Sequence, residues 1–131
     1  MTPDQGPGRT VAAMTVPTTS TPTPNAPVDL DATAFDELIA TAEVPVVVDF
    51  WAAWCGPCVP MAAVLKEVEA DQAGRLLVAK VDIDEQVDLA RRFAVMSAPT
   101  LLVFVDGEPV ERLVGARGKG RLLEDLAAYL P

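Results

Sequence analysis

The sequence predicts an α/β fold, a central mixed β-sheet flanked by helices on both faces. Three observations predict it. Apolar runs of strand length alternate with stretches in which apolar residues recur at helical spacing. The run Val46–Trp51 is apolar on both faces except at Asp49, the pattern of a strand covered from two sides. An Asp106-Gly107 pair separates the last two apolar runs and is a strong hairpin signal. The order that follows is β-α-β-α-β-α-β-β-α, with parallel strands first and one antiparallel hairpin at the end.

The chain becomes globular from Val28. Phe35, Leu38, Ile39 and Ala42 fall at i, i+3, i+4 and i+7, one face of a first helix, with Asp31 placed to cap it and Pro45 to end it. The strand Val46–Trp51 follows. After Cys58, the residues Met61, Val64, Leu65 and Val68 form the apolar face of a second helix, whose wet face carries Lys66, Glu67, Glu69 and Asp71. Gly74 stops it, and Leu76–Val81 is a second strand of buried type. Leu89, Ala90, Phe93 and Ala94 suggest a short third helix. Thr100–Val105 and Val110–Val114 are the two arms of the hairpin. Leu122, Leu123, Leu126, Tyr129 and Leu130 supply the inner face of a closing helix.

Residues 1–25 differ in kind. They are rich in Thr and Pro and poor in large apolar side chains, so burial cannot offset the entropy of ordering them. A disordered tail over 1–25 and one folded domain over 26–131 are expected. The hydrophobic fraction of 50% is enough for one core. A formal net charge of -9 argues against binding to nucleic acid or anionic lipid. No stretch reaches the ~18 uninterrupted apolar residues that a spanning helix needs, and no apolar run follows Arg9 as in a secretory signal. The expected location is the cytoplasm and the expected state a monomer.

The chemistry concentrates in Trp54-Cys55-Gly56-Pro57-Cys58, which holds the only two cysteines. Two thiols at this spacing can close into a small disulfide and reopen, a two-electron switch. The chain has no His, so neither a Cys-His pair nor a histidine metal site can form. The strand ending at Trp51 feeds a helix beginning near Cys58, which sets Cys55 at or just before a helix N-terminus. Free amide donors and the helix dipole favour the thiolate there, and the thiolate is the attacking species. Pro57 suits a first helical turn, and Gly56 leaves the approach to Cys55 open. Cys55 is thus expected as the exposed nucleophile and Cys58 as its more buried partner. Two blander readings stay open: a structural disulfide of small entropic effect, and a zinc site completed by another chain or by carboxylates. Asp49 is either a hydrogen-bonded core residue or the proton acceptor for the inner thiol, and Lys80 either its charge partner or a solvated strand-end lysine.

The segment Val48-Asp49-Phe50-Trp51-Ala52-Ala53-Trp54-Cys55-Gly56-Pro57-Cys58 resembles the active-site stretch of the thioredoxin family nearly residue for residue. Ala98-Pro99-Thr100 resembles its cis-proline loop, Ala79-Lys80-Val81-Asp82 its third strand, and Val114-Gly115-Ala116 its glycine loop, so the resemblance covers roughly residues 28–131. It implies the thioredoxin fold and a general protein-disulfide reductase. By that resemblance Cys55 attacks a target disulfide, and Cys58, helped by Asp49, resolves the mixed disulfide. Lys80 supports the proton transfer, and Trp54, Pro57, Ala98, Pro99 and Gly115 form the surface that receives protein substrates, with Pro99 after a cis peptide bond. An NADPH-dependent flavoprotein thioredoxin reductase recharges the pair, and no bound cofactor or metal is implied. Three positions depart from the family. Val59 stands where many members have a basic residue, Pro60 replaces a helix proline that aligns near Ala63, and Ala98 replaces a commonly larger residue. The chief alternative of another class is a binding subunit whose dithiol is incidental. A second is an oxidase or isomerase of an oxidising compartment, against which the Gly-Pro dipeptide between the cysteines counts.

Overall fold

The computed structural model describes residues 28–131, so the tail expected over 1–25 lies outside the described residues. The elements run β1 (Val28–Asp29), α1 (Ala32–Thr41), β2 (Val46–Trp51), α2 (Cys58–Asp71), β3 (Leu77–Asp82), α3 (Val87–Arg92), β4 (Thr100–Val105), β5 (Glu108–Val114) and α4 (Lys119–Leu126). They form one sheet in the order β1-β3-β2-β4-β5. The sequence order β-α-β-α-β-α-β-β-α is therefore the observed one.

The strand alternation splits the core in two. Val46, Val48 and Phe50 of β2 face α1 and α3, where Phe35, Leu89 and Phe104 complete one cluster. Phe93 packs edge-on against Phe35 and Phe104, each at 5.5 Å between centroids. Val47 faces the opposite way, with Leu101 and Val103, under Met61, Leu65 and Val68 of α2 and Leu122 and Leu126 of α4. Because side chains alternate, Asp49 lies on the Val47 face, beneath α2. It is the one ionisable group in the buried stretch of β2.

Several details differ from the sequence reading. The first arm of the hairpin, β4, runs antiparallel to β2 rather than extending the parallel set. The chain leaves β3 at Asp82, which lies opposite Trp51, and re-enters the sheet at that same end, with Thr100 opposite Phe50. Next, α1 stops at Thr41 with Ala42 as its C-cap, before Pro45 is reached. The closing helix stops at Leu126, and Tyr129 and Leu130 pack on the core from a turn. Finally, β5 begins at Glu108 and takes Pro109 into the ladder beside a register shift. The Asp106-Gly107 turn is as expected, with φ of 51° and 81°, the left-handed pair that matches strand twist.

Asp31 caps α1 by accepting from the Ala34 N–H at 2.8 Å. Asp31→Ala removes that acceptor and is expected to cost about 1 kcal/mol. In thermal unfolding the midpoint should drop by roughly 4 °C. An unchanged midpoint would mean the cap is replaced by water without loss.

Candidate functional site

The site is built where β2 runs out into the loop that starts α2. Cys55 N–H donates to the Ala52 carbonyl at 3.1 Å and Cys58 N–H to the Cys55 carbonyl at 3.3 Å, which curls the backbone into a tight turn. Pro57 takes the N-cap position with φ of -64°, one step ahead of the first helical residue. The turn brings Cys55 and Cys58 to a Cα separation of 5.4 Å, and the two are joined as a disulfide. Cys58 N–H also points at Cys55 Sγ, 3.2 Å away, so a donor at the helix start faces that sulfur as well as the Cys55 carbonyl. A Cβ on Gly56 would meet nothing within 4 Å, so the outer side of the turn is open.

The expected contrast between an exposed Cys55 and a buried Cys58 is not found. The residues are 4% and 5% exposed, and both pack with Ala52 against Trp51, Ile83 and Ala98. In the bonded form each sulfur covers the other, and the loop folds over both. Burial therefore does not distinguish the two sulfurs, and their other surroundings do.

What lies below is Asp49. It is fully buried, and neither carboxylate oxygen has a hydrogen-bond partner. Burial pushes its carboxyl up from 3.8 to about 7, with the Lys80 charge pulling down and the Asp29 charge pushing up by less. No protein group of the described residues hydrogen-bonds the carboxylate, so its neighbours do not satisfy it as they would an ordinary core polar residue. Asp49, Cys55, Cys58 and Lys80 line one cavity of about 220 Å³, large enough for several waters at about 30 Å³ each. Lys80 sits opposite Asp49 in the β2–β3 register, with Nζ 4.6 Å from the centre of the Trp51 ring. It is half-buried, not a solvated strand end.

The other expected residues come to the rim. Trp54 is 67% exposed, and its indole N–H is fixed on Asp84 at 2.9 Å. The Ala98-Pro99 bond is cis, Ala98 packs against the dithiol cluster, and Gly115 N–H donates to the Pro99 carbonyl at 2.9 Å. Gly115 has φ of 95°, which disfavours any other residue. All ten expected residues thus gather at one end of the sheet. Pro60 leaves α2 unbroken from Cys58 to Asp71, since a proline in the first turn loses no helical bond. Sequence reasoning missed Asp84, which holds Trp54, and Met96, which is 91% exposed in the loop ahead of the cis bond. It missed Asp29 too, whose carboxylate accepts from the Trp51 indole N–H at 2.8 Å. An Asp two residues after the strand of Lys80 was a visible signal for Asp84; nothing comparable marked Asp29.

The thioredoxin family model matches residues 26–128. The chain belongs to the thioredoxin family. It is 50% identical over 93 residues to a thioredoxin of Mycobacterium tuberculosis, covering 71% of this chain and 80% of that one. It is 48% identical over 101 residues to a bifunctional thioredoxin reductase/thioredoxin of Mycobacterium leprae, covering 77% of this chain. The chain spans 22% of the length of that larger relative. Among solved structures, a mutant thioredoxin from Halobacterium salinarum NRC-1 superposes with a TM-score of 0.76 at 33% identity, over 85% of this chain and 96% of that one. With the family shown and a closed cysteine pair in the family's position, the protein is a thiol–disulfide oxidoreductase of thioredoxin fold.

Proposed function

We propose that this thioredoxin works as a general reductant of protein disulfides in the cytoplasm, as a monomer, with Cys55 as nucleophile, Cys58 as resolving thiol and Asp49 as proton acceptor. The observation that carries the reading is the buried, unpartnered Asp49 carboxylate sharing one cavity with both cysteines. In the first step the Cys55 thiolate attacks one sulfur of the target, forming a Cys55–target disulfide and releasing the other target sulfur as thiolate. Asp49 then takes the Cys58 proton through water in the cavity. The Cys58 thiolate attacks Cys55 Sγ, the Cys55–Cys58 bond forms, and the second target sulfur leaves. The target gains two electrons and the dithiol loses two.

Lys80 holds a positive charge near Asp49 and eases its ionisation. At the rim, Trp54, Pro57, Ala98, Pro99 and Gly115 receive an extended substrate segment, the Ala98 backbone pairing with it as an added strand. Val59 and Met96, 73% and 91% exposed, enlarge that apolar rim. Recharging falls to an NADPH-dependent flavoprotein thioredoxin reductase, a pairing supported by the Mycobacterium leprae relative whose name joins both activities. A reducing compartment suits a carrier that must return to its dithiol form.

The test is insulin reduction coupled to NADPH oxidation, with a thioredoxin reductase as the only electron source. Sustained NADPH consumption that requires both this protein and insulin is expected. Reduction by dithiothreitol but none by the reductase would remove the assigned partner while leaving the exchange chemistry in place.

A further inference from the structure

Strand register lays three charged residues in a row across the sheet. Asp29 of β1 is opposite Lys80 of β3, and Lys80 is opposite Asp49 of β2. Residues in register on neighbouring strands share a face, so all three point to the α2 side, as does Trp51, two residues beyond Asp49. Trp51 ties the row together: its N–H is held by Asp29 at 2.8 Å, while its ring lies 4.6 Å from the Lys80 ammonium. The ammonium therefore has a carboxylate on each side, one exposed and one buried.

We propose that Asp29 is a positioning residue for the dithiol exchange, fixing Trp51 and setting an opposing negative charge across Lys80 so that Asp49 keeps a high affinity for the proton it takes from Cys58. The proposal rests on the reading of Asp49 as proton acceptor. Other groups facing Asp49 are Lys66 and the two cysteines of the α2 side, while β4 offers only the apolar Leu101. Lys80 favours the ionised carboxylate, and left unopposed it would weaken it as a base. Asp29 is the counterweight. At about 4.8 Å per strand it lies roughly 10 Å from Asp49, where a partly screened charge is felt as about 0.3–0.5 pH unit.

Asp29→Asn tests this with little disturbance, because the amide oxygen can still accept from Trp51. In the oxidised protein neither cysteine titrates, and the side-chain carboxyl carbon of Asp49, assigned by its loss in Asp49→Asn, is followed by carbon NMR. At low salt its midpoint should fall by about 0.3–0.5 pH unit in Asp29→Asn, and by less at high salt. In single-turnover reduction of insulin at pH 8.5, where Asp49 is ionised in both proteins, the resolution step should then slow by up to about twofold, because the weaker base takes the Cys58 proton less readily. A midpoint unchanged in Asp29→Asn overturns the role of Asp29 and leaves Asp49 as acceptor. A resolution rate and pH profile unchanged in Asp49→Asn overturn both.

Discussion

Replacing Cys55 by Ser is expected to bring insulin reduction down to the rate seen without protein, while the fold is retained. The argument is local. Cys55 Sγ is the sulfur that a helix-start N–H faces at 3.2 Å, and a Ser hydroxyl is neither ionised near neutrality nor able to form a disulfide. Losing so small a disulfide loop removes only about 2 kcal/mol from the oxidised state, so wild type and variant are compared under reduction. Cys58→Ser separates the two steps. The first attack survives, resolution does not, and the mixed disulfide accumulates to one target per chain, visible as a covalent mass. A Cys55→Ser protein that still reduces insulin well above background would return the dithiol to an incidental role in a binding subunit. A Cys58→Ser protein that turns over without an adduct would mean that an external thiol, not Cys58, resolves.

Most of the architecture was legible because it rests on local rules. The i, i+3, i+4, i+7 face of α1, the doubly apolar β2 and the left-handed Asp106-Gly107 turn each follow from their own residues. What escaped depends on pairings far apart in sequence. β1 was expected at the head of the order, but its extent was not legible, since two residues beside β3 show no alternation of their own. The antiparallel entry of β4 depends on the connection from β3 bringing Thr100 beside Phe50. At the site, the residues that the structure brings together around the disulfide were readable from the motif and the family resemblance. The equal burial of the sulfurs was not, because it follows from the closed bond and the packing of Ala98 from another loop. Nor was the row Asp29–Lys80–Asp49, which exists only once three strands are set in register. Glu69 makes the same point. It sits on the expected wet face of α2, yet it is 1% exposed, because its carboxylate caps the Val78 N–H at 2.6 Å on the stretch of β3 that precedes its pairing with β1.

Asp49→Asn is expected to make the protein more stable above neutrality and a poorer reductase, with an effect on unfolding that depends on pH in a definite direction. A carboxyl whose folded value is raised, here from 3.8 to about 7, binds its proton more tightly in the folded chain than in the unfolded one. Its favourable state, the neutral acid, is fully present below about pH 3.8. Between there and about 7 the folded chain holds more protons than the unfolded, so stability falls as pH rises, and beyond the folded value the loss is complete. At 1.36 kcal/mol per pH unit the ceiling on that loss is roughly 4 kcal/mol. Asn carries no charge to desolvate, so the variant should lack this slope. Near pH 4 the two proteins should unfold at similar temperatures, while at pH 8 the variant should unfold on the order of 10 °C higher. Thermal unfolding of both reduced proteins at several pH values decides it, and a constant difference from pH 4 to pH 8 would sink the account. The same substitution deprives Cys58 of its acceptor, so the resolution step should slow about a hundredfold, as when a positioned base is lost. The opposite signs are the informative part. A residue kept for packing would cost stability when replaced, whereas the proposed role of Asp49 as proton acceptor predicts a variant that gains stability above neutrality and loses exchange rate.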